Sequence, residues 1–214
     1  MHTRTKPRLR GVSHQIGFFV ALVCGAWLVM TAGSMLAVAV TATYAVTLAL
    51  MLGVSASYHR GTRSPARERR WKRADHAMIF VFVAGTYTPI CVLGIGGAPG
   101  MRLLALVWAG AALGILRALF WVRAPRVIAT ALYVALGWLM VAFWPDVSRA
   151  LGAPLLALLM VGGIFYTTGA IVYALRWPDP SPRWFGYHEI FHSFVIAACV
   201  CHFVAISELV HAGT

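Results

Sequence analysis

Two histidines four residues apart, His188 and His192, lie at the start of the last long apolar segment of the chain. Four residues turn a helix by about 400°, roughly 40° past a full circle, so both imidazoles lie on one face. Imidazole nitrogens placed in this way can bind a single zinc ion. The string His188-Glu189-Ile190-Phe191-His192 also has the H-E-x-x-H form of zinc peptidases, in which the glutamate is the general base.

Polar side chains also stand at the ends of other apolar segments, where ionisable groups are costly and usually mark a functional site. His59 closes one such segment, and Ser55 precedes it by one helical turn on the same face. Asp75 opens the next segment and is followed by His76. These residues are therefore candidates for the same site as His188 and His192.

The composition of the chain indicates a membrane protein. Of 214 residues, 60% are hydrophobic and only 11% are charged, whereas soluble domains carry about 25% charged residues. Lys and Arg number 18 against 6 Asp and Glu, giving a net charge of +12. The basic residues lie between apolar segments, so membrane topology and anionic lipid explain them, and no nucleic-acid partner is predicted. Four cysteines lie in apolar stretches and are interpreted as small buried hydrophobes.

A spanning helix needs about 20 apolar residues, and the apolar pattern predicts an all-α bundle of seven transmembrane helices. The predicted spans are 16–35, 39–59, 75–94, 102–121, 126–144, 154–175 and 186–209. Residues 60–73 are predicted to be a basic loop, and the proline-rich residues 177–182 are expected to be non-helical. The predicted domains are a basic tail (1–15), the seven-span domain (16–209) and a short C-terminal tail (210–214).

The distribution of basic residues predicts the direction of the bundle. With a cytoplasmic N-terminus, 16 of the 18 Lys and Arg residues lie on the cytoplasmic side, and only Arg102 and Arg149 lie outside. The C-terminus is then outside. This topology places His59, Asp75 and His188 at one depth near the cytoplasmic leaflet. We therefore predict a multi-pass protein of the cell (inner) membrane with its metal site near that leaflet.

Three histidines plus one water match the ligand set of an open zinc site. Asp75 could hydrogen-bond that water, orient a ligand or bind the metal directly, and Ser55 could hold the water or donate to a developing oxyanion. Histidine alone does not distinguish zinc from other ions that prefer imidazole.

The peptidase interpretation is disfavoured because its third ligand should come from a downstream carboxylate. The only such residue is Glu208, sixteen residues and about 24 Å along the helix from His192. No Pro or Gly between positions 193 and 206 predicts a break in that helix.

The remaining histidines are interpreted without a metal. His2, His14 and His211 are expected at the membrane interface. His76 is expected to face away from Asp75, and His202 to form a hydrogen bond inside the bundle, about 15 Å along the helix from His192.

The motifs resemble those of the bacterial hemolysin III group, which belongs to the progestin and adiponectin receptor family of seven-span proteins. The resemblance covers essentially the whole chain. It rests on Ser55-x-x-x-His59, Arg73-Ala74-Asp75-His76 with residues 79–89, and His188-x-x-x-His192 with His202-Phe203. It implies that His59, His188 and His192 bind Zn²⁺, that Asp75 contacts the zinc-bound water, and that Ser55 supports the site. It also implies the N-in, C-out topology.

Three functions remain open at this stage. The first is a zinc-dependent, ceramidase-like hydrolase of a lipid amide or ester, with Asp75 as general base and a role in membrane lipid homeostasis. The second is a pore-forming cytolysin, and the third is a sensor of the membrane state with structural zinc, in which Asp75 is the fourth ligand. The expected partners are membrane lipids, with anionic headgroups at the basic loop, and no protein partner is predicted.

Overall fold

The computed structural model describes residues 7–121 and 124–212, and these residues fold almost entirely into helices. The α-helices are α1 (Val12–Met30), α2 (Met35–Arg60), α3 (Pro65–Pro89), α4 (Gly97–Phe120), α5 (Arg126–Gly137), α6 (Trp144–Ala150), α7 (Ala153–Leu175) and α8 (Tyr187–Ala212). A π-helical segment, Ile90–Ile95, extends α3, and a 3₁₀ segment, Leu139–Phe143, joins α5 to α6.

Seven helical stretches within the described ranges are long and apolar enough to cross a membrane. They are α1, α2, α3 with its π-helical extension, α4, α5 to α6 taken together, α7 and α8. The predicted seven-helix polytopic membrane protein is confirmed. An odd number of spans puts the two ends of the bundle on opposite sides of the bilayer, and the cytoplasmic assignment of the N-terminal side stays a prediction.

The loop predicted over residues 60–73 is wrong for most of its length, because α3 begins at Pro65. Proline suits the first turn of a helix, where its missing N–H costs nothing. The charged residues that follow are good helix formers, so the first turns of α3 extend beyond the apolar span. Similarly, α1 begins at Val12, before the predicted start of the first span, and includes His14.

The fifth span was predicted to stop at Trp144, but it continues through α6 to Ala150. Pro145 stands in the first turn of α6 and therefore begins a helix instead of ending one. Tyr87 of α3 stabilises the irregular backbone before it: its hydroxyl donates to the Gly137 carbonyl at 2.6 Å and accepts from the Met140 N–H at 3.1 Å. Backbone groups inside a bilayer need such partners because water is absent.

Neighbouring helices pack as antiparallel pairs, α1 with α2, α2 with α3, α3 with α4, and α7 with α8. The close approach of α2 and α3 depends on Gly85, because a Cβ at that position would overlap the Thr47 side chain. Besides packing along α2, α1 contacts α8. These contacts bring the N-terminal ends of α1 and α8 and the C-terminal end of α2 together, where the polar residues lie.

Candidate metal centre

Three histidines from two helices converge at this end of the bundle. His59 is in the last turn of α2, and His188 and His192 are in the first two turns of α8. Their possible ligand atoms all lie within 4.8 Å of one another, and the Nε2 atoms of His59 and His188 are 3.2 Å apart. His59 and His192 are buried, and His188 is half-buried.

The donor set and its geometry fit a zinc ion. Two nitrogens bound to zinc at 2.0–2.1 Å in a tetrahedral arrangement lie about 3.3 Å apart, close to the distance between His59 and His188. The Nδ1 atom of His192 is buried and has no hydrogen-bond partner among the described residues. Buried polar atoms without partners are rare and call for an explanation. These three residues could therefore hold one metal ion.

The beginning of α8 is held by three polar contacts that orient its histidines. The Tyr187 N–H donates to Asp179 Oδ1 at 3.1 Å, and the Gly186 N–H donates to Glu189 Oε2 at 2.8 Å. The other oxygen of Glu189 forms an ion pair with Arg10, which precedes α1. Glu189 caps its own helix, as in a capping box, and its side chain is 3% exposed.

The engagement of Glu189 argues against a peptidase-type site. Both of its carboxylate oxygens are used, one by Arg10 and one by the helix N-terminus. In addition, α8 is continuous from Tyr187 to Ala212, and Glu208 is exposed far along it. This confirms the expectation that α8 has no break that could bring Glu208 close to His192.

Asp75 and Ser55 face the same cavity as the three histidines. Ser55 is buried one turn before His59, and it lies close enough to the Asp75 carboxyl group to interact with it. Asp75 does not belong to the cluster of possible ligands, which within the described ranges consists of the three histidines alone. The structure thus brings all five predicted site residues to one cavity, with the carboxylate beside the ligand set and not within it.

His14 is a residue of this site that the sequence analysis missed. It was expected at the membrane interface, but it is 2% exposed and its ring stacks on His192, with centroids 3.7 Å apart and planes 6° from parallel. Neither of its ring nitrogens has a hydrogen-bond partner within the part of the chain that the structure describes. The sequence could have indicated this position for His14, because the predicted topology also places the start of the first span at the depth of His59.

Two further histidines, His76 and His202, lie on the wall of the cavity. His202 interacts through Nε2 with the Leu159 carbonyl at 3.3 Å, which confirms the predicted hydrogen bond inside the bundle. His76 also lines the cavity, outside the ligand cluster. The expectation that His76 faces away from the site is therefore only partly correct.

The cavity has a volume of about 330 Å³ and extends into the bundle from the histidine cluster. It is lined by both His192 and His202, so it runs about 15 Å along α8 by helical rise. Its inner wall is mainly apolar and includes Met51, Phe82, Ile90, Met140, Leu159 and Val195. Its volume lies in the range of pockets that bind small ligands.

A seven-helix membrane bundle with a buried cluster of three histidines at one end defines the class of protein, and comparisons identify the family. A family model described as "Haemolysin-III related" matches residues 2–203. The chain belongs to this haemolysin-III-related family.

Individual relatives agree with this assignment. The chain is 28% identical over 209 residues to a "Hemolysin-3 homolog" of Bacillus subtilis (strain 168), covering 96% of this chain and 95% of the relative. It is 30% identical over 198 residues to "Hemolysin-3" of Bacillus cereus, covering 91% and 87%. A shorter match, 42% identical over 59 residues, covers 24% of this chain and 13% of the "Adiponectin receptor protein" of Drosophila melanogaster. This match supports the grouping with the progestin and adiponectin receptors.

Proposed function

We propose that this protein is a zinc-dependent hydrolase that cleaves an amide or ester bond of a membrane lipid and so acts in membrane lipid homeostasis. One observation carries the proposal: three histidines that fit a zinc ion open directly into a long, mainly apolar cavity inside the bundle. A carboxylate, Asp75, lines the same cavity without belonging to the ligand cluster.

The residues around the histidines fit the roles that such a reaction requires. Zinc bound to His59, His188 and His192 would supply Lewis acidity and a water of lowered pKa. Asp75 accepts a proton from the attacking water and delivers it to the leaving amine or alcohol, as a general base and then a general acid. Ser55 orients the Asp75 carboxyl group, with which it interacts. His14 packs against His192 and limits rotation of that imidazole.

The shape and lining of the cavity favour a lipid substrate. An acyl chain can lie along the apolar wall beside α8 while its amide or ester carbonyl lies at the histidine cluster. The chain exchanges the apolar interior of the bilayer for an apolar wall, so its transfer costs little hydrophobic free energy.

The placement of the protein in the cell is part of the same proposal. The N-terminus is cytoplasmic, the C-terminus is outside, and the site lies near the cytoplasmic leaflet of the inner membrane. The membrane lipids are the partners. Anionic headgroups contact the exposed basic side chains Arg67, Arg69 and Arg70 on the first turns of α3.

Two alternatives have a specific observation behind them. Two relatives carry the name hemolysin, which favours a pore-forming cytolysin. The buried histidines are also compatible with a sensor of the membrane state that contains structural zinc. Structural zinc usually has four protein ligands, and the cluster of three histidines without Asp75 supports the enzyme over this alternative.

The test uses the full chain in lipid nanodiscs, loaded with zinc and offered amide-linked and ester-linked lipids. Release of fatty acid is measured by mass spectrometry for the natural protein, for Asp75→Asn and for Glu208→Gln as a matched carboxylate control. We expect turnover by the natural protein and the control, and turnover lower by about 100-fold or more in Asp75→Asn. Protein with one zinc per chain that releases no fatty acid would overturn the proposal. Ion flux from liposomes that persists in His192→Ala would favour the pore.

A further inference from the structure

Three basic side chains, Lys72, Arg117 and Arg126, line the same cavity as the histidines. They come from three elements: an early turn of α3, the last turn of α4 and the first residue of α5. All three are half-buried and lie within electrostatic range of His76. Three helices therefore direct positive charge toward one part of the cavity wall.

The charge on this wall is not balanced by the protein. The cavity is lined by four cations, Arg10 and the three above, and by one carboxylate, Asp75. Arg10 is neutralised by its ion pair with Glu189. No carboxylate within the described ranges forms an ion pair with Lys72, Arg117 or Arg126. The cavity wall therefore has three other cations and one carboxylate, an excess of two positive charges.

The contacts of the two arginines leave donors available for a ligand. Arg126 lies over the Tyr173 ring, 5.3 Å from its centroid, and one of its nitrogens donates to the Tyr187 hydroxyl at 3.3 Å. The Arg117 guanidinium and the Tyr133 hydroxyl lie close enough to interact, but neither the buried Arg117 Nε nor that hydroxyl has a partner with full hydrogen-bond geometry among the described residues. Both residues line the cavity. Buried donors without partners are costly, so a ligand that accepts from them is stabilised.

Membrane topology alone does not account for this cluster. Basic residues that serve only to orient a bundle are expected in water or among headgroups. Arg67, Arg69 and Arg70, on the first turns of α3, are exposed as this role requires. Lys72 follows them on the same helix but lines the cavity. Half-buried cations without a counter-ion call for an anion.

We infer that the cationic cluster of Lys72, Arg117 and Arg126 binds the anionic headgroup of a single-chain amphiphile whose acyl chain occupies the apolar part of the cavity. This inference rests on the proposed function in so far as the occupant is a membrane lipid, and it specifies the substrate class as anionic. Phosphate is the matching chemistry, because guanidinium groups bind phosphate oxygens through charge-assisted, often bidentate hydrogen bonds.

The test compares two probes that share an acyl chain, a glycerol and an ester and differ only in a phosphate: oleoyl lysophosphatidic acid and oleoyl glycerol. Binding to the full chain in nanodiscs of zwitterionic lipid is measured by displacement of a fluorescent fatty acid. We expect the phosphate-bearing probe to bind about tenfold more tightly or better, the effect of one or two charged hydrogen bonds. Equal affinities for the two probes would overturn the inference without use of any variant.

Variants assign the selectivity to the cluster. In Arg117→Gln with Arg126→Gln, and separately in Lys72→Gln, we expect the affinity ratio of the two probes to fall severalfold. Arg102→Gln, an exposed control on α4 that does not line the cavity, should leave the ratio unchanged. A ratio that survives both cluster variants would refute the assignment. Inorganic phosphate that competes as strongly as oleoyl lysophosphatidic acid would overturn the amphiphile assignment in favour of a free anion.

The outcome is separable from that of the proposed function. Selective binding of the phosphate-bearing probe without any release of fatty acid would retain the ligand class and remove the hydrolase. Turnover of both probes with equal affinity would retain the hydrolase and remove the anionic ligand class.

Discussion

The stack of His14 on His192 leads to a prediction about metal affinity that does not depend on any substrate. His14→Ala removes a buried, nearly parallel ring 3.7 Å from a proposed ligand. Aromatic pairs contribute about 0.5–1.5 kcal/mol beyond their burial. If the stack holds His192 in the orientation that binds metal, its loss weakens zinc binding by about 2- to 13-fold, since about 1.36 kcal/mol corresponds to a factor of ten.

A matched series separates the stack from the nitrogens of His14. His14→Phe keeps an aromatic ring of similar size but has no nitrogen, so we expect its zinc affinity to stay within about twofold of the natural protein. His211→Ala serves as the control, because His211 is exposed at the other end of α8. Zinc affinity is measured by competition with a chromophoric chelator in detergent micelles. Affinity unchanged in His14→Ala, or equally weak in the Phe variant, would refute the positioning role.

Three further predictions concern the proton acceptor, the N-terminal segment and the break in the fifth span. Asp75→Asn should lower lipid turnover by about 100-fold or more, the typical contribution of a general base, while zinc content, measured by mass spectrometry, stays at the level of the natural protein. Arg10→Ala should destabilise the fold by about 3 kcal/mol, because it leaves Glu189 buried without its partner; a second change, Glu189→Gln, should restore part of that loss in thermal unfolding. Tyr87→Phe removes two hydrogen bonds to backbone groups and should cost about 1–3 kcal/mol in the same assay. An Arg10→Ala protein that melts at the natural temperature would show that the ion pair contributes nothing.

The fold could be predicted because each of the seven apolar stretches is long enough to cross a bilayer as a helix, which leaves few alternative folds. The ends of the helices were harder to predict, because hydropathy detects the apolar part of a helix and not its charged turns. For this reason α3 begins ten residues before the predicted span, at Pro65. Pro145 was interpreted as a stop, although a proline can equally begin a helix. The structure shows the second case, with Tyr87 bonded to the irregular backbone that precedes α6.

The histidine cluster could be predicted because two features of the sequence indicate it, the spacing of two histidines and the topology of the spans. The spacing of His188 and His192 gives a shared helix face, and the alternation of spans gives the depth of His59. The pairing of Arg10 with Glu189 joins residues 179 positions apart and leaves no local pattern. In the same way, Lys72 could be recognised from the sequence only as one of the basic residues that orient the bundle. Its position on the cavity wall depends on how three helices pack.

The central claim is that His59, His188 and His192 together hold one zinc ion. The most direct test is the zinc content of the purified natural protein and of His192→Ala, measured by inductively coupled plasma mass spectrometry beside a protein determination. We predict one zinc per chain in the natural protein and a loss of most of it in the variant, with the helical circular dichroism signal retained. A natural protein without stoichiometric zinc after purification in zinc-containing buffer, or a variant that keeps its full zinc content, would contradict the claim.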